Sequence, residues 1–257
     1  DYTDYPQLVF DDCRLTDQNL PAIRKLVKFV NEHPSVKELN FWGDKLGNES
    51  AKILAQVKVD RLELGKNQVG DEGASALLEN STFQSLSLYQ NKMTSAGIQG
   101  INNNKTLKTL DVSDNQINSQ ICFVLAMNDT LHELFLGRTK IDNTCLQALA
   151  KNKTLTLLAV DYTSVGDEGM EILAKSSMPL TSLSAWKIGL TDRGASALAT
   201  MQGLKYVAIG KNAVTDAGAI ALSALPQLAD IELSNNQIND AGFIALAKVP
   251  HLTRMLM

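Results

Sequence analysis

Residues 180–251 repeat themselves. Set one under another, LTSLSAWKIGLTDRGASALATMQG, LKYVAIGKNAVTDAGAIALSALPQ and LADIELSNNQINDAGFIALAKVPH are three copies of a 24-residue pattern. A period this short constrains the fold more than any single motif. Each copy is one supersecondary unit that cannot bury its apolar face alone, so copies must stack into one quasi-linear array. The same pattern runs back through the chain. Its second leucine aligns as Leu8, Leu39, Leu62, Leu86, Leu110, Leu134, Leu158, Leu183, Val207, Ile231 and Met255, with spacings of 23 to 25 after a longer first unit.

Apolar residues recur two places further on, from Phe10 and Phe41 to Leu233 and Met257. Alternation at i and i+2 describes a short strand with one buried face, and stacked copies make a parallel sheet. Five places after the leucine stands Asn67, Asn91, Asn115, Asn212 or Asn236, whose amide can serve backbone groups of neighbouring turns. Cys13, Asp44, Thr139, Thr163 and Ile188 replace it elsewhere. The return limb reads as helix. Asn48, Asp71, Ser95, Ser119, Asn143, Asp167, Asp192, Asp216 and Asp240 are expected as N-caps. Gly73, Gly97, Gly169, Gly194, Gly218 and Gly242 follow two places on, which implies close approach of the helix to a neighbour; Ser50, Ile121 and Cys145 imply looser packing. Leu20, Ile23, Leu26, Val27 and Val30 predict a longer amphipathic first helix ending before Asn31–Pro34.

The organisation is a single domain over 1–257: a longer unit at 5–35, nine regular repeats over 36–251, and the start of a further strand at 252–257. That last strand has no cap, so the natural chain is expected to continue or to meet another subunit, end-to-end self-association included. The opening DYTDYPQL has neither an initiator Met nor a signal-peptide pattern, so a processed or trimmed start is expected.

Net charge is −4, which argues against a general attraction to nucleic acid, and no apolar run approaches the ~20 residues of a membrane helix. Three cysteines, Cys13, Cys122 and Cys145, form no paired spacing. A reducing compartment is favoured on that count, and a Cys122–Cys145 bridge is conceivable but not expected. The sequons at Asn48, Asn80, Asn104, Asn128 and Asn152 read as repeat grammar rather than glycan sites.

These units resemble leucine-rich repeats of the ribonuclease-inhibitor-like class. The phrases GASALL (73–78), GASALA (194–199) and GAIALS (218–223) resemble GALA-type repeats of bacterial effector proteins. The resemblance implies an α/β leucine-rich-repeat solenoid: a curved horseshoe of about 10 repeats of 24 residues, with a parallel sheet on the concave face and helices on the convex face. It also implies a secreted bacterial effector acting in host cytosol. GALA effectors often carry an F-box and act in ubiquitin ligases; that activity would need a domain outside these residues, leaving a substrate-recruiting or regulatory subunit as the alternative.

No catalytic motif, metal-ligand spacing or cofactor fingerprint appears, so no catalytic residue, metal or cofactor is assigned and the chain is read as a non-enzyme. The function class is a protein-binding scaffold. Outward strand positions carry large aromatics that the fold does not require. Trp42, Tyr89 and Trp186 share one column with Asp161, and Phe135, Tyr162 and Tyr206 stand in neighbouring ones. Aromatics of this size are enriched at interface hot spots. With Arg138 and Lys187 they make a candidate protein-binding face, centred on Phe135, Arg138, Asp161, Tyr162, Trp186 and Lys187. There the asparagine column fails and the loop edge is expected to relax. Six strand steps separate Trp42 from Trp186, roughly 29 Å, which suits a protein and not a metabolite.

Overall fold

The computed structural model describes residues 7–257; the start of the first unit, expected at residue 5, lies outside the described residues. Among the latter, one sheet of eleven parallel strands runs in sequence order. The strands are β1 Gln7–Val9, β2 Glu38–Asn40, β3 Arg61–Glu63, β4 Ser85–Ser87, β5 Thr109–Asp111, β6 Glu133–Phe135, β7 Leu157–Ala159, β8 Ser182–Ser184, β9 Tyr206–Ala208, β10 Asp230–Glu232 and β11 Arg254–Leu256. Leu8 pairs with Leu39, Leu39 with Leu62, and so on to Ile231 with Met255, so the aligned leucine column is the central row of the sheet. From Leu39 to Ile231 that row is at most 1% exposed. Each such side chain contributes roughly 1.5–3 kcal/mol of burial. Stacking is therefore the main source of stability.

The return limbs carry α1 Leu20–Glu32, α2 Asn48–Leu54, α3 Asp71–Leu78, α4 Cys122–Ala126, α5 Asn143–Leu149, α6 Gly166–Ala174, α7 Asp192–Leu198, α8 Asp216–Leu222 and α9 Asp240–Leu246. The longer first helix is present and buries Ile23, Val27 and Val30, one face at helical spacing.

The N-caps stand one residue before the expected positions, two at α6, and the displacement has a reason. Thr191 and Thr215 cap α7 and α8, their hydroxyls accepting from the amides of Arg193 and Ala217. The aspartate that follows each threonine instead serves the next repeat. Asp192 Oδ1 accepts from the amides of Thr215 (2.7 Å) and Gly218 (3.0 Å), and Oδ2 from the Thr215 hydroxyl (2.6 Å). Asp71 does the same for Thr94 and Gly97, and Asp167 for Thr191 and Gly194. This explains the glycine. A Cβ on Gly218 would stand 2.6 Å from Asp192 Oδ1 and 3.0 Å from Ala195 Cβ. The close approach is thus to the preceding helix, and the carboxylate staples one repeat to the next.

The middle of the array is built differently. Residues Ser95–Ile98, Ile101–Asn103 and Ser119–Ile121 form 3-10 turns, and α4 is five residues long. Glycine, asparagine, β-branched and aromatic residues in SAGIQGINNN and SQICFV are weak helix formers. Here serine replaces the stapling carboxylate: Ser95 Oγ accepts from the Asn118 amide and Ser119 Oγ from the Asp142 amide. Each serine takes one backbone amide and donates to one side chain, Ser95 to Asn118 Oδ1 and Ser119 to Asp142 Oδ1, where Asp192 takes two amides and a hydroxyl. Cys122 and Cys145 are joined in a disulfide, with Cα atoms 5.0 Å apart, contrary to the expectation of free thiols. Cys145 occupies the glycine position, so a covalent staple takes the place of the carboxylate. Ile121 and Cys145 are fully buried, so packing there is no looser. Cys13 is free and exposed.

Four of the sequon asparagines form a second ladder. Asn104 Nδ2 donates to Leu78 O and Asn80 O of the preceding repeat, while its Oδ1 accepts from Thr106 and Leu107 amides. Asn80, Asn128 and Asn152 are placed alike, and all four are 1–8% exposed. Glycosyl transfer to any of them would require opening the core.

Candidate binding face

Where each strand ends, the chain turns through a left-handed residue: φ is 53° at Lys66, 53° at Arg138, 57° at Tyr162, 49° at Lys187 and 54° at Lys211. One place on lies the asparagine ladder. Asn115 Nδ2 donates to Leu88 O (2.7 Å), Ser113 O (3.1 Å) and Val112 O (3.2 Å), and its Oδ1 accepts from Asn91 and Met93 amides. Thr139 and Thr163 replace that set with one hydroxyl bond each, to Leu136 O and Val160 O at 2.6 Å. The loop edge does not relax there. The φ values match those of the asparagine repeats, and backbone bonds hold the turn: Arg138 N to Asp161 O and Tyr162 N to Trp186 O, both 2.7 Å. Asp44 is the odd member. Its Oδ1 accepts from the Leu15 amide, its Oδ2 is buried without a partner, and burial pushes its carboxyl above the ordinary range.

That backbone fixes the outward side chains. Trp42 lies across Gly65 and stacks on Tyr89, with ring centroids 5.3 Å apart and planes 5° from parallel. A Cβ on Gly65 would collide with the indole. Trp186 likewise covers Gly210, where a Cβ would stand 2.9 Å from the ring, and Lys211 Nζ approaches that ring to 5.9 Å. Arg138 lies over Tyr162 at 3.8 Å and Lys187 at 5.6 Å. Asp161 Oδ1 accepts from the Ser184 hydroxyl and the Trp186 amide, both at 2.7 Å, and so sets the strand exit that carries Trp186. Both tryptophans are half-buried: they pack on neighbouring strands and still present an edge to solvent.

Two adjoining hollows occupy this face. One, of about 330 Å³, is lined by Tyr89, Arg138, Asp161, Tyr162 and Trp186 together with Asp111. The other, of about 300 Å³, is lined by Trp42, Phe135, Arg61, Glu63 and Glu133, and again by Asp111. Seven of the nine candidate residues therefore line one trough. Lys187 stands on its rim over Tyr162, and Tyr206 lies beyond it in β9, where burial and nearby Asp230 push its hydroxyl upward.

Sequence reasoning passed over the floor of the trough. Burial pushes Glu63 up against the pull of a Ser87 hydrogen bond and Arg61, and pushes Asp111 up against its bonds from Ser113. The strand alternation that singled out the aromatics would have found both, since each stands one place after an aligned leucine. The outward charges are partly sorted in space. Glu38, Glu63, Asp111, Glu133, Asp230 and Glu232 lie on the strands with Arg61 and Arg254, and Lys66, Arg138, Lys187 and Lys211 on the left-handed edge with Asp114. Among the described residues no three His, Cys, Asp or Glu side chains gather as a metal site, and no helix is long and apolar enough to cross a membrane.

A leucine-rich-repeat family model matches residues 58–78, 103–126, 151–174, 201–223 and 228–247. No curated protein matches the chain in sequence. Among solved structures, an internalin from Listeria monocytogenes is similar at 18% identity and a TM-score of 0.58, covering 97% of this chain and 79% of its own. A plant peptide hormone receptor, RGFR1 in complex with RGF2, is similar at 15% identity and a TM-score of 0.50, covering 86% of this chain; this chain spans 39% of that one. At such identity the likeness is one of fold. Sheet register, matched repeats and neighbours agree on it: the chain is a leucine-rich-repeat solenoid.

Proposed function

We propose that this solenoid is a non-catalytic scaffold that binds a protein partner through the concave face between Trp42 and Trp186. The observation that carries the reading is the trough itself. Large rings are held rigid over glycines that leave them room, on a face where the fold requires no apolar side chain. Rigid aromatics lose little entropy on binding and are favoured at hot spots. One of the structural neighbours, the plant receptor, is named for a complex with a peptide hormone, which is in keeping with a binding role.

The Cys122–Cys145 disulfide supports work in an oxidising compartment, against the reducing one favoured by cysteine count. The finer reading as a bacterial effector rests on the GALA-like phrases, and delivery to a host cytosol would expose that bond to reduction. Recruitment to a ubiquitin ligase through a further domain is the alternative, and no feature of the trough favours it over plain binding.

Affinity capture with the wild-type chain and a Trp42→Ala/Trp186→Ala variant tests the scaffold reading. Loss of a hot-spot ring costs about 2 kcal/mol, roughly thirtyfold in affinity, so the variant should release its partner while remaining folded. A partner retained by the doubly substituted, folded chain would overturn the assignment to this face.

A further inference from the structure

The trough has a charge it does not balance. Four carboxylates line its two hollows, Glu63, Asp111, Glu133 and Asp161, against two guanidiniums. Both guanidiniums have other engagements: Arg61 reaches Glu38 at 3.8 Å, outside the hollows, and Arg138 lies on the Tyr162 ring. The hydrogen bonds that the carboxylates accept come from neutral donors, and Arg61 adds only a through-space pull on Glu63. Asp111 accepts from the Ser113 amide and Glu133 from the Thr109 hydroxyl at 3.0 Å. Asp161 accepts from Ser184 and Trp186. Burial also holds Glu63 and Asp111 above their ordinary range, the behaviour of half-desolvated charges without a sufficient counter-ion.

We infer that the face docks an extended polypeptide segment whose Lys or Arg side chain seats between Trp42 and Phe135, over Glu63, Asp111 and Glu133. This rests on the binding role proposed above and names the chemistry of its partner. Three features fit one occupant. A hollow of about 300 Å³ takes a single long side chain, not a folded surface. Its aromatic walls suit an alkyl stem and its cationic head, through stem packing and cation–π attraction. From Lys66 to Lys211 the left-handed edge beside the trough also carries Arg138 and Lys187 against one acid, Asp114, so acidic groups flanking the guest's cation meet a mostly opposite charge. A polyanion such as nucleic acid would meet the acidic floor. Shared Asp111 joins the hollows, so a strand of about nine residues at ~3.3 Å each spans Trp42 to Trp186.

Selection of a random dodecapeptide display library on the full chain tests this, followed by fluorescence polarisation of the selected peptides. Enriched peptides should carry Lys or Arg beside acidic residues. Their affinity should fall about tenfold or more in Glu63→Gln/Asp111→Asn, weaken with salt, and rise with pH as the two carboxyls ionise. The amide variant is isosteric and removes partly buried charge, and its circular dichroism should match wild type. Neutral or acidic peptides that are lost on Trp186→Ala would overturn this inference and leave the scaffold reading standing. Basic peptides indifferent to the amide variant would also overturn it, as would failure to select any peptide. Peptides indifferent to both Trp42→Ala and Trp186→Ala would remove the scaffold reading as well.

Discussion

The repeats at 180–251 and those at 93–150 present the same strand to the same sheet and are held together on the convex side by different chemistry. In the first group Asp192 and Asp216 each reach the next repeat and take two amides, Asp192 a hydroxyl besides, over a glycine that lets the two backbones close up. In the second, a serine takes one backbone amide, the return limbs before α5 shorten to 3-10 turns and the five-residue α4, and a disulfide closes one step. The concave face does not register the change: left-handed exits and strand register continue through both. A solenoid's stability is a sum of units and nearest-neighbour interfaces, so one interface can change its chemistry while the sheet continues across it.

The largest way to break the comparison is Gly218→Val. The new side chain must displace Asp192, Val214 or Ala195, and overpacking of about 1–3 kcal/mol adds to a lost cap of about 1 kcal/mol. Hydrogen exchange should show α7 to α9 losing protection together while the middle repeats keep theirs. In the middle, Cys145→Gly is tolerated sterically, and its cost is the disulfide. Removing that bond with Cys122→Ser/Cys145→Ser should cost about 3 kcal/mol for the loop it closes, a separation of 23 residues. Its signature is confinement: protection lost around α4 and α5, none at 180–251, and the same loss when wild type is reduced. Reduction that left exchange around α4 and α5 unchanged would mean serine and packing suffice there.

This contrast marks what the sequence could and could not tell. Strand positions, the leucine row and the asparagine ladder follow from period and side-chain alternation, which are local. The direction of the aspartate staple was hidden because Asp192 stands where a cap of its own helix would, and only partners 23 and 26 residues away reveal its use. The disulfide was conceivable from adjacent repeats but not expected, because the two cysteines stand in different registers: Cys122 is one place beyond the glycine column and Cys145 is in it. The aromatics of the trough were legible as outward positions. Its acid floor was passed over because Glu63, Asp111 and Glu133 stand 48 and 22 residues apart in succession along the chain, and only stacking of their strands brings them to one hollow.

A smaller effect sharpens the comparison toward the two ends of the array, where aspartates in different roles, Asp192 as a staple and Asp44 in the asparagine column, respond to pH with opposite sign. Asp192 is pushed up by burial, but its bonds from Thr215 and Gly218 outweigh that and hold it below the ordinary range. Its contribution is present above the unfolded value, near ~3.9, and is lost as pH falls through the folded one. Asp44 stands where Asn67 and Asn115 donate, yet an ionised carboxylate has nothing to donate, and its folded pKa is raised by burial. Its contribution is complete below the unfolded value and lost as pH rises through the folded one. Asp44→Asn restores a donor to the ladder and should stabilise the β1–β3 end by about 1 kcal/mol at neutral pH, with little effect in acid. Asp192→Asn should do the reverse at α7 and α8, weakening them at neutral pH and leaving acid stability unchanged. Hydrogen exchange of the two variants across pH 3 to 7, a range set around the ~3.9 reference, reads each end separately. Parallel slopes at both ends would show that Asp44 is ionised in its buried site and that its Oδ2 finds a donor after all.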